Sequence, residues 1–94
     1  MTIEQHNTRT EGYFIAKEGS TVLGQLFYSW AGIDKFVISH TEVKPEAKGT
    51  GTGQAMVEAA VKYARDNNFQ IVPVCPFANA MFKKHKDWDD VLFK

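Results

Sequence analysis

Residues 48–53 read KGTGTG and stand between a strand pattern and a helix pattern. Three glycines at alternate positions, Gly49, Gly51 and Gly53, leave the backbone uncovered, so that its N–H groups can close on an anion. The free N–H groups and the dipole of the following helix favour phosphate oxygens. A plain turn would need only one left-handed glycine. We therefore predict a phosphate-binding turn, with a positive φ at Gly51 or Gly53.

Downstream of this turn the apolar residues follow a helical period. Residues 52–67 are predicted to form an amphipathic helix that ends at the asparagines 67 and 68. A buried strand is predicted over residues 69–74, a second helix over 76–86, and a short turn over 88–93 capped by Asp87. The apolar stripe of the first helix consists of Met56, Val57, Ala60, Val61 and Ala64.

Upstream of the turn the sequence predicts strands at residues 12–17, 21–30 and 35–43, joined by short turns. The polar residues 1–12 are predicted to be a tail. The fold class that follows is α/β with a mixed sheet, in which a three-strand antiparallel meander precedes helix, strand and helix.

Composition limits the classes of function. Ninety-four residues predict a single domain over 1–94. Lysine plus arginine balance aspartate plus glutamate at 11 each, so a nucleic-acid partner is not expected. No apolar run approaches the ~20 residues that span a bilayer, and the N-terminus lacks the pattern of a signal peptide. One cysteine excludes an intramolecular disulfide. The sequence thus predicts a soluble cytoplasmic protein without a membrane partner.

The glycine turn matches neither common nucleotide motif. A P-loop requires a lysine followed by serine or threonine after the glycines, and the dinucleotide fingerprint requires G-x-x-G spacing in a parallel unit. Neither pattern occurs in residues 48–56.

The segment VKPEAKGTGTG, residues 43–53, resembles the pyrophosphate motif of the GNAT acetyltransferases, Q/R-x-x-G-x-G/A. Lys48 stands at the first position of that motif, and Gly51 and Gly53 stand at the two small ones. A narrower resemblance, to very short GNAT-like proteins, covers residues 13–92 and includes HTEV at 40–43 and VPVCPF at 72–77. It implies a GNAT-like fold and acetyl-coenzyme A as co-substrate. The cofactor-binding residues implied are Val43, Lys48, Gly49, Thr50, Gly51, Thr52, Gly53, Val74, Cys75, Phe77 and Asn79.

Cys75 lies between two prolines. Pro73 has no N–H for a sheet ladder, which favours separation of neighbouring strands. Pro76 suits the first helical position and makes Cys75 the N-cap, where the helix dipole stabilises a thiolate. Because free cysteine is also a common core residue, Cys75 is predicted either to react near the bound thioester or to pack.

Period-two alternation places Phe36, Ile38, His40 and Glu42 on one face of the third predicted strand. Acetyl transfer to an amine needs a base, and GNAT enzymes often carry a glutamate on this strand. The resemblance therefore makes Glu42 the first candidate base and His40 the second, although both also suit ordinary strand-end hydrogen bonds.

The leading prediction is an N-acetyltransferase acting on an amine, either a small molecule or a protein lysine. Glu42, His40 and Cys75 are the candidate catalytic residues, and no metal is expected, because the histidines lack ligand spacing. One alternative is a non-catalytic coenzyme A-binding or sensing module, since little chain remains to shape an acceptor site. Another is thiol exchange at Cys75.

Overall fold

The sheet contains five strands in sequence order. A computed structural model describes residues 1–94. The strands β1 to β4 form an antiparallel meander, and β5 pairs in parallel with β4. The predicted α/β class with a mixed sheet is confirmed. The strand bounds are β1 Thr2–Asn7, β2 Glu11–Glu18, β3 Thr21–Trp30, β4 Lys35–Val43 and β5 Gln70–Pro73.

The prediction of a polar tail at the N-terminus is wrong. Residues Thr2–Asn7 form β1, which pairs along its whole length with β2, so the meander has four strands instead of three. All side chains of β1 except Ile3 are exposed, which explains why no apolar alternation marked a strand. Backbone pairing holds β1, helped by Asn7, whose amide donates to the hydroxyl of Tyr63 at 3.1 Å.

The first helix, α1, spans Thr52–Asn67, as predicted. Asn68 follows it in the left-handed conformation, with φ at 60°, and its N–H donates to the carbonyl of Ala64. This helix connects β4 to the parallel strand β5 and crosses the sheet. Its N-terminus therefore lies next to the end of β4.

The second helix, α2, spans Pro76–Lys84 and is two residues shorter than predicted. His85 leaves the helical conformation, and its ring stacks on Trp88 with centroids 4.2 Å apart. A short 3₁₀ helix follows at Lys86–Trp88, so Asp87 lies inside that turn instead of capping it. The predicted strand 69–74 shortens to Gln70–Pro73.

An ion pair between Arg65 and Asp90 joins the C-terminal segment to α1. The Arg65 guanidinium donates to both carboxylate oxygens of Asp90 at 2.7 Å. This hydrogen bonding lowers the pKa of Asp90 below its ordinary value.

Both helices contribute to one core of 18 buried residues. The side chains of Phe14, Leu26 and Ile38 lie on one face of the sheet and belong to that core. The opposite face is not covered by a helix. Its apolar side chains are half-buried and lie outside the core; they are Tyr13, Ile15, Phe27, Val37 and Val72. No helix of the protein has the length and apolarity to cross a membrane.

Candidate functional site

The main cavity opens where β4 and β5 separate. Their pairing ends at Ile38 and Pro73, after which the N–H groups of Val74 and Cys75 both donate to the carbonyl of Ile38 at 3.1 Å. The rest of β4 continues to Val43 without a partner on that side. The resulting cavity measures about 970 Å³ and is lined by the ends of β3 and β4, the glycine turn, the start of α1 and two residues of α2.

Two glycines of the turn adopt a left-handed backbone. Gly49 has φ at 82° and Gly51 has φ at 84°, a region that side chains other than glycine rarely occupy. A Cβ at either position would meet nothing within 4 Å, so the requirement is conformational and not steric. The predicted positive φ is therefore found at Gly51.

Gly53 is required for a different reason. It lies in the first turn of α1 and has no positive φ. A Cβ there would lie 2.6 Å from Cζ of Phe77, the exposed aromatic residue of α2 that lines the cavity. Gly53 thus admits the Phe77 ring between the two helices.

The backbone N–H groups at the start of α1 have no acceptor in the protein. Gly51, the N-cap, offers no side chain, and the first N–H to bond is that of Ala55, which donates to the Gly51 carbonyl at 2.9 Å. Such unsatisfied donors normally need a side chain, water or a ligand. The residues with unpaired N–H groups are Gly49, Gly51, Thr52, Gly53 and Gln54.

The two threonines of the turn stabilise it by hydrogen bonds within the turn. The Thr50 hydroxyl donates to the Ala47 carbonyl at 2.5 Å and lies 2.9 Å from the Thr52 hydroxyl. Since Thr50 has one hydroxyl hydrogen, Thr52 donates to Thr50. The Thr50 N–H also donates to Ala47, at 3.3 Å. Thr50 lies outside the cavity lining, whereas buried Thr52 belongs to it.

Two lysines line the cavity. Lys48 was predicted, and Lys44 was missed because it precedes the glycine motif. Neither forms an ion pair with a carboxylate. The cavity therefore combines unpaired N–H groups with two free positive charges, which suits an anionic ligand.

Gly24 of β3 was also missed. A Cβ there would lie 2.7 Å from the Glu42 carbonyl oxygen and 3.1 Å from the Met56 side chain. The absence of a side chain lets β3, β4 and α1 converge under the turn. Sequence alone offered no signal, because these contacts join distant segments.

A β-bulge changes the face on which the candidate bases lie. Tyr28 pairs with Ile38 and Phe27 pairs with His40, so Ser39 is an extra residue in β4. Beyond the bulge Thr41 pairs with buried Leu26 and takes the core side. A bulge inserts one residue and so reverses the alternation. The predicted shared face is wrong for the set Phe36, Ile38, His40 and Glu42, since only the first two are buried.

His40 and Glu42 face away from the core, on the uncovered side of the sheet. Nε2 of His40 lies 3.3 Å from Oε1 of Glu42, and both side chains are largely exposed. The His40 ring stacks on Phe27 at a centroid distance of 6.0 Å. Glu42 lines the cavity and His40 does not.

Cys75 is the N-cap of α2, as predicted. Its sulfur accepts from the Ala78 N–H at 3.4 Å and lies 3.3 Å from the Thr41 hydroxyl. The thiol is buried, with 5% exposure, and lies behind Thr41, which lines the cavity. Cys75 and the pair His40–Glu42 are thus on opposite sides of β4.

The remaining predicted contacts divide between the cavity and its surroundings. Val43 lines the cavity, whereas Val74 is exposed and outside the lining. The Asn79 side chain donates to the Pro73 carbonyl at 3.4 Å and joins α2 to the end of β5. No group of three or more His, Cys, Asp or Glu residues is close enough to hold a metal.

The architecture and the cavity define a small α/β protein whose cleft, beside the separation of two parallel strands, is lined by unpaired N–H groups and two lysines. The model of the GCN5-related N-acetyltransferase family matches residues 12–91. The chain belongs to that family.

One solved structure agrees with this assignment, and two others share the fold. A GCN5-like protein from Staphylococcus aureus is 30% identical, with a TM-score of 0.71, covering 96% of this chain and 87% of that one. A ribosomal-protein-alanine N-acetyltransferase from Brucella melitensis is 14% identical, with a TM-score of 0.68, covering 82% and 62%. A predicted acetyltransferase from Clostridium acetobutylicum, determined with acetyl-coenzyme A, is 19% identical, with a TM-score of 0.64, covering 80% and 56%. The last two share the fold, and this chain spans just over half their length. None of the curated protein sequences matches the chain.

Proposed function

We propose that the chain binds acetyl-coenzyme A in the main cavity and transfers the acetyl group to an amine. The observation that carries the proposal is the set of five unpaired N–H groups in the glycine turn and the first turn of α1, next to Lys44 and Lys48. Pyrophosphate oxygens would accept these hydrogen bonds, and the helix dipole and both lysines favour the same charge. Coenzyme A supplies the pyrophosphate, and its acetyl thioester supplies the group transferred.

The gap between β4 and β5 leads from the turn into the sheet. Because β4 beyond Ile38 has no β5 partner, its backbone is free to bond an extended ligand there. Phe77 and Met81 of α2 provide an apolar wall to this part of the cavity. This arrangement suits the pantetheine arm, whose thioester would then lie near Glu42 and Thr41.

For the transfer we assign Glu42 as the base, supported by His40. The amine nitrogen attacks the thioester carbonyl carbon, the carbon–sulfur bond breaks, and the thiolate leaves. Glu42, directly or through water, accepts one proton from the amine and releases it to solvent, and the leaving thiolate takes one proton from solvent. Its exposed carboxylate, 3.3 Å from the imidazole of His40, lines the cavity where an acceptor can reach it.

A covalent route through Cys75 has less support from the geometry. In that route the thiolate would take the acetyl group and pass it to the amine. The sulfur is buried, caps α2 and contacts Thr41, so an acyl group could reach it only after Thr41 moves. Direct transfer needs no such movement. The single domain over 1–94 and the cytoplasmic location remain predictions.

The test combines binding with mass analysis. Calorimetry should show one coenzyme A bound per chain, and incubation with labelled acetyl-coenzyme A should label amine acceptors but leave the protein mass unchanged. Glu42→Gln should keep coenzyme A affinity and lower the transfer rate by about 10²-fold or more. A protein that binds but never transfers would be the coenzyme A-binding or sensing module, and one that does not bind would contradict both functions.

A further inference from the structure

An aromatic row crosses the uncovered face of the sheet. His6, Tyr13, Phe27 and His40 are cross-strand partners on β1 to β4. Their ring centroids are separated by 5.0, 6.1 and 6.0 Å in that order. We name these four residues the aromatic row.

The aromatic row has no covering element. Tyr13 and Phe27 are half-buried, both histidines are exposed, and none of the four belongs to the core. Ile15, the next residue on this face of β2, widens the apolar surface. Half-buried apolar side chains that no element covers can bind a ligand, because burying the rest of their surface is favourable.

The aromatic row leads to the cavity. Glu42 follows His40 on the same face of β4 and also lines the cavity. A ligand that lies along Tyr13 and Phe27 would therefore present one end at Glu42. The uncovered face and the proposed cofactor site meet at this carboxylate.

The charges around the aromatic row favour a ligand with a single positive charge. Glu42 is in ion-pair distance of His40 only, so no lysine or arginine is paired with its carboxylate. Glu4, at the other end, is already engaged by Lys17 at 3.2 Å, and this contact lowers the pKa of Glu4. Because Lys17 neutralises Glu4, that end of the row offers no free carboxylate to a second cationic group on the same ligand.

We propose that the aromatic row is the acceptor-binding surface and that the acceptor is a monocationic primary amine on an apolar stem. The stem lies over Phe27 and Tyr13, and the ammonium meets Glu42. Glu42 takes one proton from the ammonium and releases it to solvent, which leaves the neutral amine for the attack described above. The inference rests on the proposed function, since it names the substrate class of that reaction. It separates this class from polyamines and strongly basic peptides, which would place a second cation near Lys17.

The probe is 2-phenylethylamine, with the neutral isostere 2-phenylethanol and the polycation spermidine as matched controls. Aromatic NMR resonances of the free protein are followed during each titration, and coenzyme A affinity is measured separately by calorimetry. We expect the amine to shift resonances of Tyr13, Phe27 and His40, with a weaker effect of the alcohol and the weakest of spermidine. Shifts confined to other residues, equal effects of amine and alcohol, or tighter binding of spermidine would overturn the proposal.

Two variants sharpen the test. Glu42→Gln should weaken the amine about two- to fivefold, as for an exposed ion pair, and leave the alcohol unchanged. Phe27→Leu should weaken the amine and the alcohol alike, while coenzyme A affinity stays as in the parent chain. The matched control is Ile33→Ala, at an exposed residue of the β3–β4 loop, which should change neither. If coenzyme A fails to bind but the amine still shifts the aromatic row, the proposed function fails and the binding surface stands.

Discussion

In the glycine turn and the first turn of α1 five backbone N–H groups donate to no protein acceptor, whereas at the start of α2 the sulfur of Cys75 accepts from the Ala78 N–H. The first helix begins at a left-handed glycine without a side-chain cap, and the second begins at an extended cysteine followed by proline. The two helix N-termini, which approach each other where the Phe77 ring meets Gly53, thus differ in how their N–H groups are satisfied.

The difference indicates which of the two helix N-termini is suited to bind a ligand. An uncapped N-terminus costs stability unless a ligand or water satisfies its donors, so an uncapped N-terminus beside a cavity points to an anion. At the capped N-terminus of α2, the Ala78 N–H already has an acceptor within the protein. We therefore assign binding to the glycine turn and a mainly structural role to the cysteine turn.

The largest effect is expected from Gly51→Val, which should reduce coenzyme A affinity by at least ~2 kcal/mol, about 30-fold. A branched residue cannot readily adopt φ at 84°, so the turn would rearrange and redirect its N–H groups. Calorimetry measures affinity, and urea unfolding measures stability.

The matched control is Gly19→Val, because Gly19 in the β2–β3 turn also has positive φ, 61°, with no atom near its Cβ position. Both variants should lose on the order of 1–2 kcal/mol of stability. Only Gly51→Val should lose affinity, and unchanged affinity in the folded variant would contradict the assignment.

Gly53→Ala is expected to destabilise the protein by about 1–2 kcal/mol, because the new methyl group meets the Phe77 ring. In an exposed helix the same change usually stabilises by up to about 1 kcal/mol. In a Phe77→Ala background the substitution should therefore become neutral or stabilising, as a double-mutant cycle by urea unfolding would show. The same cost in both backgrounds would mean that Phe77 is not the obstacle.

Cys75→Ala is expected to cost about 1 kcal/mol more stability than Cys75→Ser, because serine retains a capping oxygen for the Ala78 N–H. Both variants should keep coenzyme A affinity nearly intact, since we propose that the glycine turn, and not Cys75, binds the pyrophosphate. Iodoacetamide should modify the native thiol only slowly, at the rate of local opening. Rapid modification that coenzyme A blocks would instead support the covalent route.

The smallest effects are expected from Lys44→Gln and Lys48→Gln, each lowering coenzyme A affinity by about 0.2–1 kcal/mol. These losses should shrink as salt rises from about 0.05 to 0.5 M, because screening weakens exposed charges. Lys62→Gln is the control, since Lys62 lies on the outer face of α1 and pairs with Asp66 at 2.8 Å. A loss that does not depend on salt would indicate a specific hydrogen bond instead.

Residue patterns within one segment were sufficient to predict the elements that depend on contacts within that segment. The bounds of β3, β4 and α1 followed from alternation, helical period and the asparagines after the helix. The glycine turn, with Lys48 and Gly51 on the cavity, followed from the backbone freedom of glycine and its place before a helix. The N-cap role of Cys75 followed from Pro76.

What the tertiary structure decided depends on contacts between distant segments. The polar strand β1 exists because its backbone pairs with β2, which leaves no trace in side-chain periodicity. The extra residue Ser39 reverses the alternation of β4, and only its register with Phe27 and Tyr28 reveals the change. Lys44 and Thr41 join the cavity because β4 parts from β5, so the residues on its wall were set by strand pairing and not by the motif.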